Sequence, residues 1–301
     1  MKIFSKRETL LENMTLMGIM SGINIIIAVL AAFFPVFALF LVLILPLTST
    51  MVELYCKDRY FPIYAFATMG LSLVATLWNM ETTLFYVFPS ILTGYIFGLM
   101  SKKNIPSIYS VLAATIVQAG ITIAFIPLIN FVFDVDIIFT FKTFFKLTSS
   151  TYVDEIVPAF IFAVSLIQVA LSYIIVSGEI KKFGFVEKDS SKYRFIYQLA
   201  CIVSCLAIIP FAFFFVKASF VFLMIGLYFS VFIILDFIYD KTWFTLGVSL
   251  AGIPITVIVF AAASSKLSGC LPMLLLGVTP LWIGLISIAF SLLKRDAEKI
   301  K

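Results

Sequence analysis

Histidine is missing from all 301 residues, and charged side chains make up only 12% of the chain. Without imidazole there is no commonest metal ligand, no usual general base near neutral pH and no common proton relay, which excludes zinc-dependent intramembrane proteolysis. No G-x-x-x-x-G-K-[ST] phosphate loop occurs, so ATP is not hydrolysed by that route, and any pumping energy has to come from a partner or an ion gradient. A gradient calls for carboxylates at mid-membrane depth. The 16 acidic residues fall instead almost wholly at expected helix ends or in connections, among them Glu53 and Asp58 on one side, Glu81, Asp134, Asp136, Asp154 and Glu155 on the other, and Asp236 with Asp240 near the end of an apolar segment. Ion-coupled transport is thereby disfavoured. The four cysteines, Cys56, Cys201, Cys205 and Cys270, are too scattered for a disulfide framework; Cys201 and Cys205 share a helix face as small apolar residues.

What is present is hydrophobic, at 62% of residues with a mean hydropathy of +1.15. Apolar segments cover residues 15–34, 36–55, 60–79, 84–100, 108–133, 154–177, 195–216, 218–239, 242–264 and 268–293. Each approaches the length needed to cross a hydrocarbon core of about 30 Å as a helix. Positive charge alternates across their connections. Of the 21 Lys and Arg residues, all but Lys142, Lys146, Lys217 and Lys266 fall on one side. The positive-inside rule then predicts an all-α polytopic membrane protein of about ten helices with both termini cytoplasmic. No large soluble domain, removable signal peptide or nucleic-acid partner is expected. The net charge of +5 suits anchoring beside anionic lipid in a bilayer.

Mid-membrane polar residues are few and uncharged: Asn24, Gln118, Gln168 and Gln198. Each either binds a solute or hydrogen-bonds a neighbouring helix. The outer connection 134–153 contains Phe139, Phe141, Phe144 and Phe145 with Lys142 and Lys146 between them, a pattern for a short interfacial helix that acts as a lid or as an anchor. Two G-x-x-x-G pairs occur, Gly18 with Gly22 and Gly94 with Gly98, one turn apart on a helix face where another helix can approach closely. The motif implies packing without saying whether the neighbour is internal or another subunit. Nine prolines lie in or beside the spans, and Pro35 directly after Phe34 predicts a tight hairpin between the first two.

A basic start, a small-residue pair on the first helix, a short outer turn, and a fourth helix ending Thr93-Gly94-Tyr95-Ile96-Phe97-Gly98-Leu99 resemble the substrate-capture (S) subunits of energy-coupling-factor vitamin transporters. The length beyond that core is similar to the YybS-like bacterial membrane proteins. The resemblance implies a six-helix core over residues 1–180, a basic cytoplasmic connection at 181–194 and a four-helix extension at 195–301, the last being an addition to a typical S subunit. It also implies a bacterial cytoplasmic membrane, a coupling membrane subunit with two ATPases that packs on Gly18 and Gly22, and a small-molecule solute held near the outer surface. The expected solute residues are Trp78, Asn79, Glu81, Asp154 and Glu155, convergent polar groups beside an aromatic wall. No catalytic residue, metal or cofactor is expected. Two other functions stay open, a non-transport scaffold or accessory protein and a lipid-active membrane protein; the second is handicapped by the missing histidine and paired carboxylates.

Overall fold

The structure is a computed structural model describing residues 7–134, 136–144, 153–182, 194–263 and 271–299. Among them there is no strand. The helices are α1 (Leu10–Phe33), α2 (Pro35–Tyr55), α3 (Phe61–Ala75), the single turn α4 (Met80–Thr82), α5 (Phe88–Lys102), α6 (Ser107–Phe133), α7 (Ile137–Phe144), α8 (Val153–Lys182), α9 (Arg194–Phe214), α10 (Val216–Tyr239), α11 (Trp243–Ala263) and α12 (Leu271–Lys299). Among the described residues, seven helical stretches are long and apolar enough to cross a membrane. That is the architecture of a multi-pass membrane protein.

Local chemistry explains the boundaries. The Glu12 amide donates to Thr9 Oγ1 and the Thr9 amide to Glu12 Oε2, a capping box that starts α1 ahead of the apolar segment expected from residue 15. Only Phe34 separates α1 from α2, because Pro35 restarts the helix with a preset φ. Six prolines, Pro46, Pro127, Pro158, Pro210, Pro254 and Pro280, sit inside helices. Asn104, Asp134 and Lys241 adopt left-handed φ just past the ends of α5, α6 and α10.

The third apolar segment departs from expectation. Read as a span over 60–79, it yields a helix of only 15 residues ending at Ala75, about 22 Å at 1.5 Å per residue. Thr76 stops it: its hydroxyl donates back to the Ser72 carbonyl at 2.9 Å while its own backbone leaves helical geometry. A 3₁₀ turn (Leu77–Asn79), α4 and a π-helical turn (Thr83–Val87) then carry the chain into α5.

The chain divides into two compact units, Met1–Val135 with Ser165–Asp189, and Asp136–Val164 with Ser190–Lys301, so α8 contributes to both. In the first unit a polar knot joins α1, α2 and α3. Asn24 Nδ2 donates to Tyr64 Oη at 2.9 Å and Asn24 Oδ1 accepts from Thr48 Oγ1 at 2.7 Å, while Ser49 shares the Tyr64 hydroxyl. The α2–α5 crossing is close because it runs over glycine. A Cβ at Gly94 would overlap the Pro46 carbonyl oxygen, and one at Gly98 would lie 2.6 Å from Glu53 Cβ. Thr50 Oγ1 donates to the Gly94 carbonyl across the crossing at 3.0 Å. On α6, Gln118 accepts from Thr93 of α5 at 3.1 Å and donates to Gln168 of α8 at 2.7 Å.

In the second unit α9 packs between α10 and α12. Cys201, Cys205, Ile233, Phe237 and Ile283 form its core, with Cys201 Sγ directed at the carbonyls of Gly226 and Pro280. Gln198 donates to Ser287, and Arg194 pairs with Asp236 at 3.0 Å and Asp240 at 2.7 Å. The amphipathic stretch after α6 is helical as α7, with Asp136 Oδ1 accepting from the Phe139 amide at 2.9 Å. Phe145 and Lys146 lie outside the described residues, as does Cys270.

Candidate functional site

Three places in the first unit carry features that packing alone does not use. The first is the irregular turn after α3. Trp78 is exposed and its ring centroid lies 5.1 Å from that of Phe33 at the end of α1. Asn79 is half-buried and Glu81 exposed. In the same stretch Thr76 and Thr83 share a hydrogen bond of 2.7 Å, Thr82 is buried, and the buried Ser72 hydroxyl has no protein partner. Exposed aromatic and polar side chains and buried hydroxyls thus occur close together along the chain. A π-helical turn of this kind supplies backbone irregularity that regular helices lack, and such turns recur at functional sites.

Trp78, Asn79 and Glu81 thus lie together in one turn. Asp154 and Glu155 stand in the first turn of α8, in the other unit, and their side chains lie outside the described ones. The hydroxyls of Ser72 and Thr76 escaped the sequence reading, which chose amides, charges and Trp78 as its site residues. Their spacing of four residues was the available signal.

The second place is the outward face of α1. Nothing lies within 4 Å of a Cβ built at Gly18 or at Gly22. Gly18 is exposed and Gly22 half-buried, flanked by the exposed Ile19 and Ile26. The two G-x-x-x-G pairs therefore have opposite fates: Gly94 and Gly98 are consumed within the chain, whereas Gly18 and Gly22 are left over.

The third place is the end of this unit remote from Trp78. Here the Arg7 amide donates to the Tyr55 carbonyl and the Lys57 amide to Asn13 Oδ1, holding the start of α1 against the end of α2. Lys102 Nζ, from the end of α5, lies 2.8 Å from Glu53 Oε1 and 2.5 Å from Asp58 Oδ1. The Glu53 side chain is completely buried, although the sequence read it as an ordinary helix-end charge. Asp58 is mostly exposed, and the Lys102 ammonium holds its carboxyl below the ordinary carboxylate range. A depressed carboxylate keeps its contribution above the unfolded value and loses it as pH falls through the folded one, so this pair persists at neutral pH and opens only in acid.

The remaining sequence candidates, Asn24, Gln118, Gln168 and Gln198, all hydrogen-bond other side chains and tie helices together. Comparison with protein-family profiles, with characterised proteins and with solved structures gives no match to this chain.

Proposed function

We propose that the chain is the solute-capture subunit of a bacterial membrane importer, resembling energy-coupling-factor S subunits, with ten crossings and both termini cytoplasmic. Its energy would come from a coupling membrane subunit bound to two ATPases. The observation that carries this reading is the unused glycine pair on α1. Two glycines one turn apart, with no chain atom near them, form the close-approach surface that a partner helix needs. The grouping of Trp78, Asn79 and Glu81 in one irregular turn supports capture at the other end, since it offers polar groups for orientation beside the Trp78 and Phe33 rings.

Replacing both Gly18 and Gly22 by Leu is expected to abolish co-purification of a coupling subunit while the protein stays folded in the membrane. Unchanged recovery would remove this face from the interface. Mass spectrometry of molecules extracted from the purified protein identifies the solute. Alanine at Trp78 or Asn79 should then weaken its binding tenfold or more, about 1.4 kcal/mol, and wild-type affinity in both variants would eliminate the turn as the binding site.

A second reading, a non-transport scaffold, draws on the self-paired interior: Asn24 with Tyr64, Gln118 with Gln168, and Gln198 with Ser287 leave few polar groups for a solute. A purified protein that carries no bound small molecule and recruits no ATPase subunits would favour it.

A further inference from the structure

The cluster at the end of α2 has the form of a cation site already filled. Two carboxylate oxygens from different segments, Glu53 Oε1 on α2 and Asp58 Oδ1 in the turn before α3, converge on one point, and the Lys102 ammonium occupies it. The second oxygen of the same buried carboxylate, Glu53 Oε2, has no hydrogen-bond partner. Burying an ionised carboxylate oxygen without a donor is costly, so the position is relieved by a nearby positive charge or by a proton. Packing keeps the carboxylate there: Gly98 of α5 leaves room for the Glu53 stem, whose Cβ and Cγ lie 2.6 Å and 2.7 Å from where a side chain at 98 would begin.

We infer that Lys102 is the built-in cation of a hard-cation site made by Glu53 and Asp58, and that the site passes to a divalent metal ion once the ammonium is removed. With Lys102 in place the two carboxylates and one ammonium sum to a charge of −1; a divalent ion in its stead neutralises both carboxylates. Oxygen ligands suit Ca²⁺ or Mg²⁺, with Glu53 able to bind through both oxygens and the exposed side of Asp58 leaving room for water.

Magnitudes decide which cation holds the wild-type site. A short tether keeps a group at an effective concentration on the order of millimolar or above, and the packed α2–α5 crossing pre-positions this one. Oxygen sites with few charged ligands bind Ca²⁺ at only roughly 10⁻⁴ to 10⁻³ M. A calcium ion entering the wild-type site would therefore have to displace an ammonium already in contact with both carboxylate oxygens, which weakens that binding further. The inference rests on the geometry of this cluster and is independent of the solute proposed above.

The test uses the full chain purified in detergent, with Lys102→Met, which keeps the apolar stem and removes the charge. Equilibrium dialysis against calcium chloride, at ionic strength matched with choline chloride, should find one Ca²⁺ per chain in Lys102→Met, bound at least tenfold more tightly than by wild type. The double variant Lys102→Met with Glu53→Gln should lose that binding. Thermal unfolding should rise with calcium for Lys102→Met and stay flat for wild type and for Lys102→Arg, which keeps a cation at the end of the side chain. Wild type binding calcium as tightly as Lys102→Met would overturn the inference. So would a folded Lys102→Met without Glu53-dependent binding, or a Lys102→Met that calcium fails to restore to folded form.

Discussion

Alanine at Gly94 should destabilise the protein by roughly 3 kcal/mol or more, whereas alanine at Gly18 should stabilise it by about 1 kcal/mol. Both glycines sit inside a helix, where Gly→Ala returns about 1 kcal/mol of helix propensity. At Gly18 that gain stands alone, because nothing lies within 4 Å of the new methyl. At Gly94 the methyl would overlap the Pro46 carbonyl oxygen and approach Ser49 Cβ to 2.6 Å. Those atoms belong to α2, so relief requires moving a helix backbone, and overpacking reaches the top of its usual range of about 1–3 kcal/mol or exceeds it. Moving α2 also strains the Thr50 hydrogen bond to the Gly94 carbonyl. Leucine at Gly94 should prevent recovery of folded protein altogether. Thermal unfolding of the two alanine variants in one detergent checks the opposite signs; equal effects at the two positions would contradict the crossing described.

Tyr64→Ala should cost about 3–5 kcal/mol, the range for deleting a large buried aromatic side chain. Tyr64 is 1% exposed and is the largest of the completely enclosed side chains. Its hydroxyl accepts from Asn24 of α1 and contacts Ser49 of α2, so the variant leaves a cavity and removes the partner of a buried amide at the same time. Tyr64→Phe separates the two effects. It keeps the ring and deletes only the hydroxyl, and interhelical hydrogen bonds in membrane proteins are worth about 0.6–1.7 kcal/mol. Denaturation of the two variants should therefore differ by roughly 1.3–4.4 kcal/mol. Similar losses in both would mean that the hydrogen bonds, not the packing, hold α1, α2 and α3 together.

Much of the architecture was legible from residue order. Long apolar runs predicted where helices lie, and α1, α2, α5, α6 and α8 through α12 each overlap the expected segment, because helix position in such a chain follows from where polar residues interrupt hydrophobic ones. The amphipathic pattern of Phe139 and its neighbours likewise anticipated α7. The third segment misled because hydropathy does not register a backbone break: Leu77 and Trp78 are apolar enough to extend a run, while the Thr76 hydroxyl ends the helix before them.

The proposed solute residues were legible only as a shared depth. Trp78, Asn79 and Glu81 meet in one turn through their neighbouring sequence positions, and the hydrogen bond between the buried Thr76 and Thr83 hydroxyls depends on the fold of Leu77–Val87. Similarly, the charge of Glu53 was plain, but not its burial or its partner 49 residues away on α5.

By itself the sequence determined the helical membrane character of this protein, the absence of histidine chemistry and of a phosphate loop, and the existence of two glycine pairs. Those are properties of composition and local order, since hydrophobic transfer and backbone hydrogen bonding act on each segment separately. Only the tertiary structure decided that Gly94 and Gly98 are spent against α2 while Gly18 and Gly22 face outward, that Asn24 is a strut, and that Glu53 is enclosed with Lys102. The reason is that a residue's type names the contacts it can make, whereas the rotation and crossing of its helix choose which of them it does make.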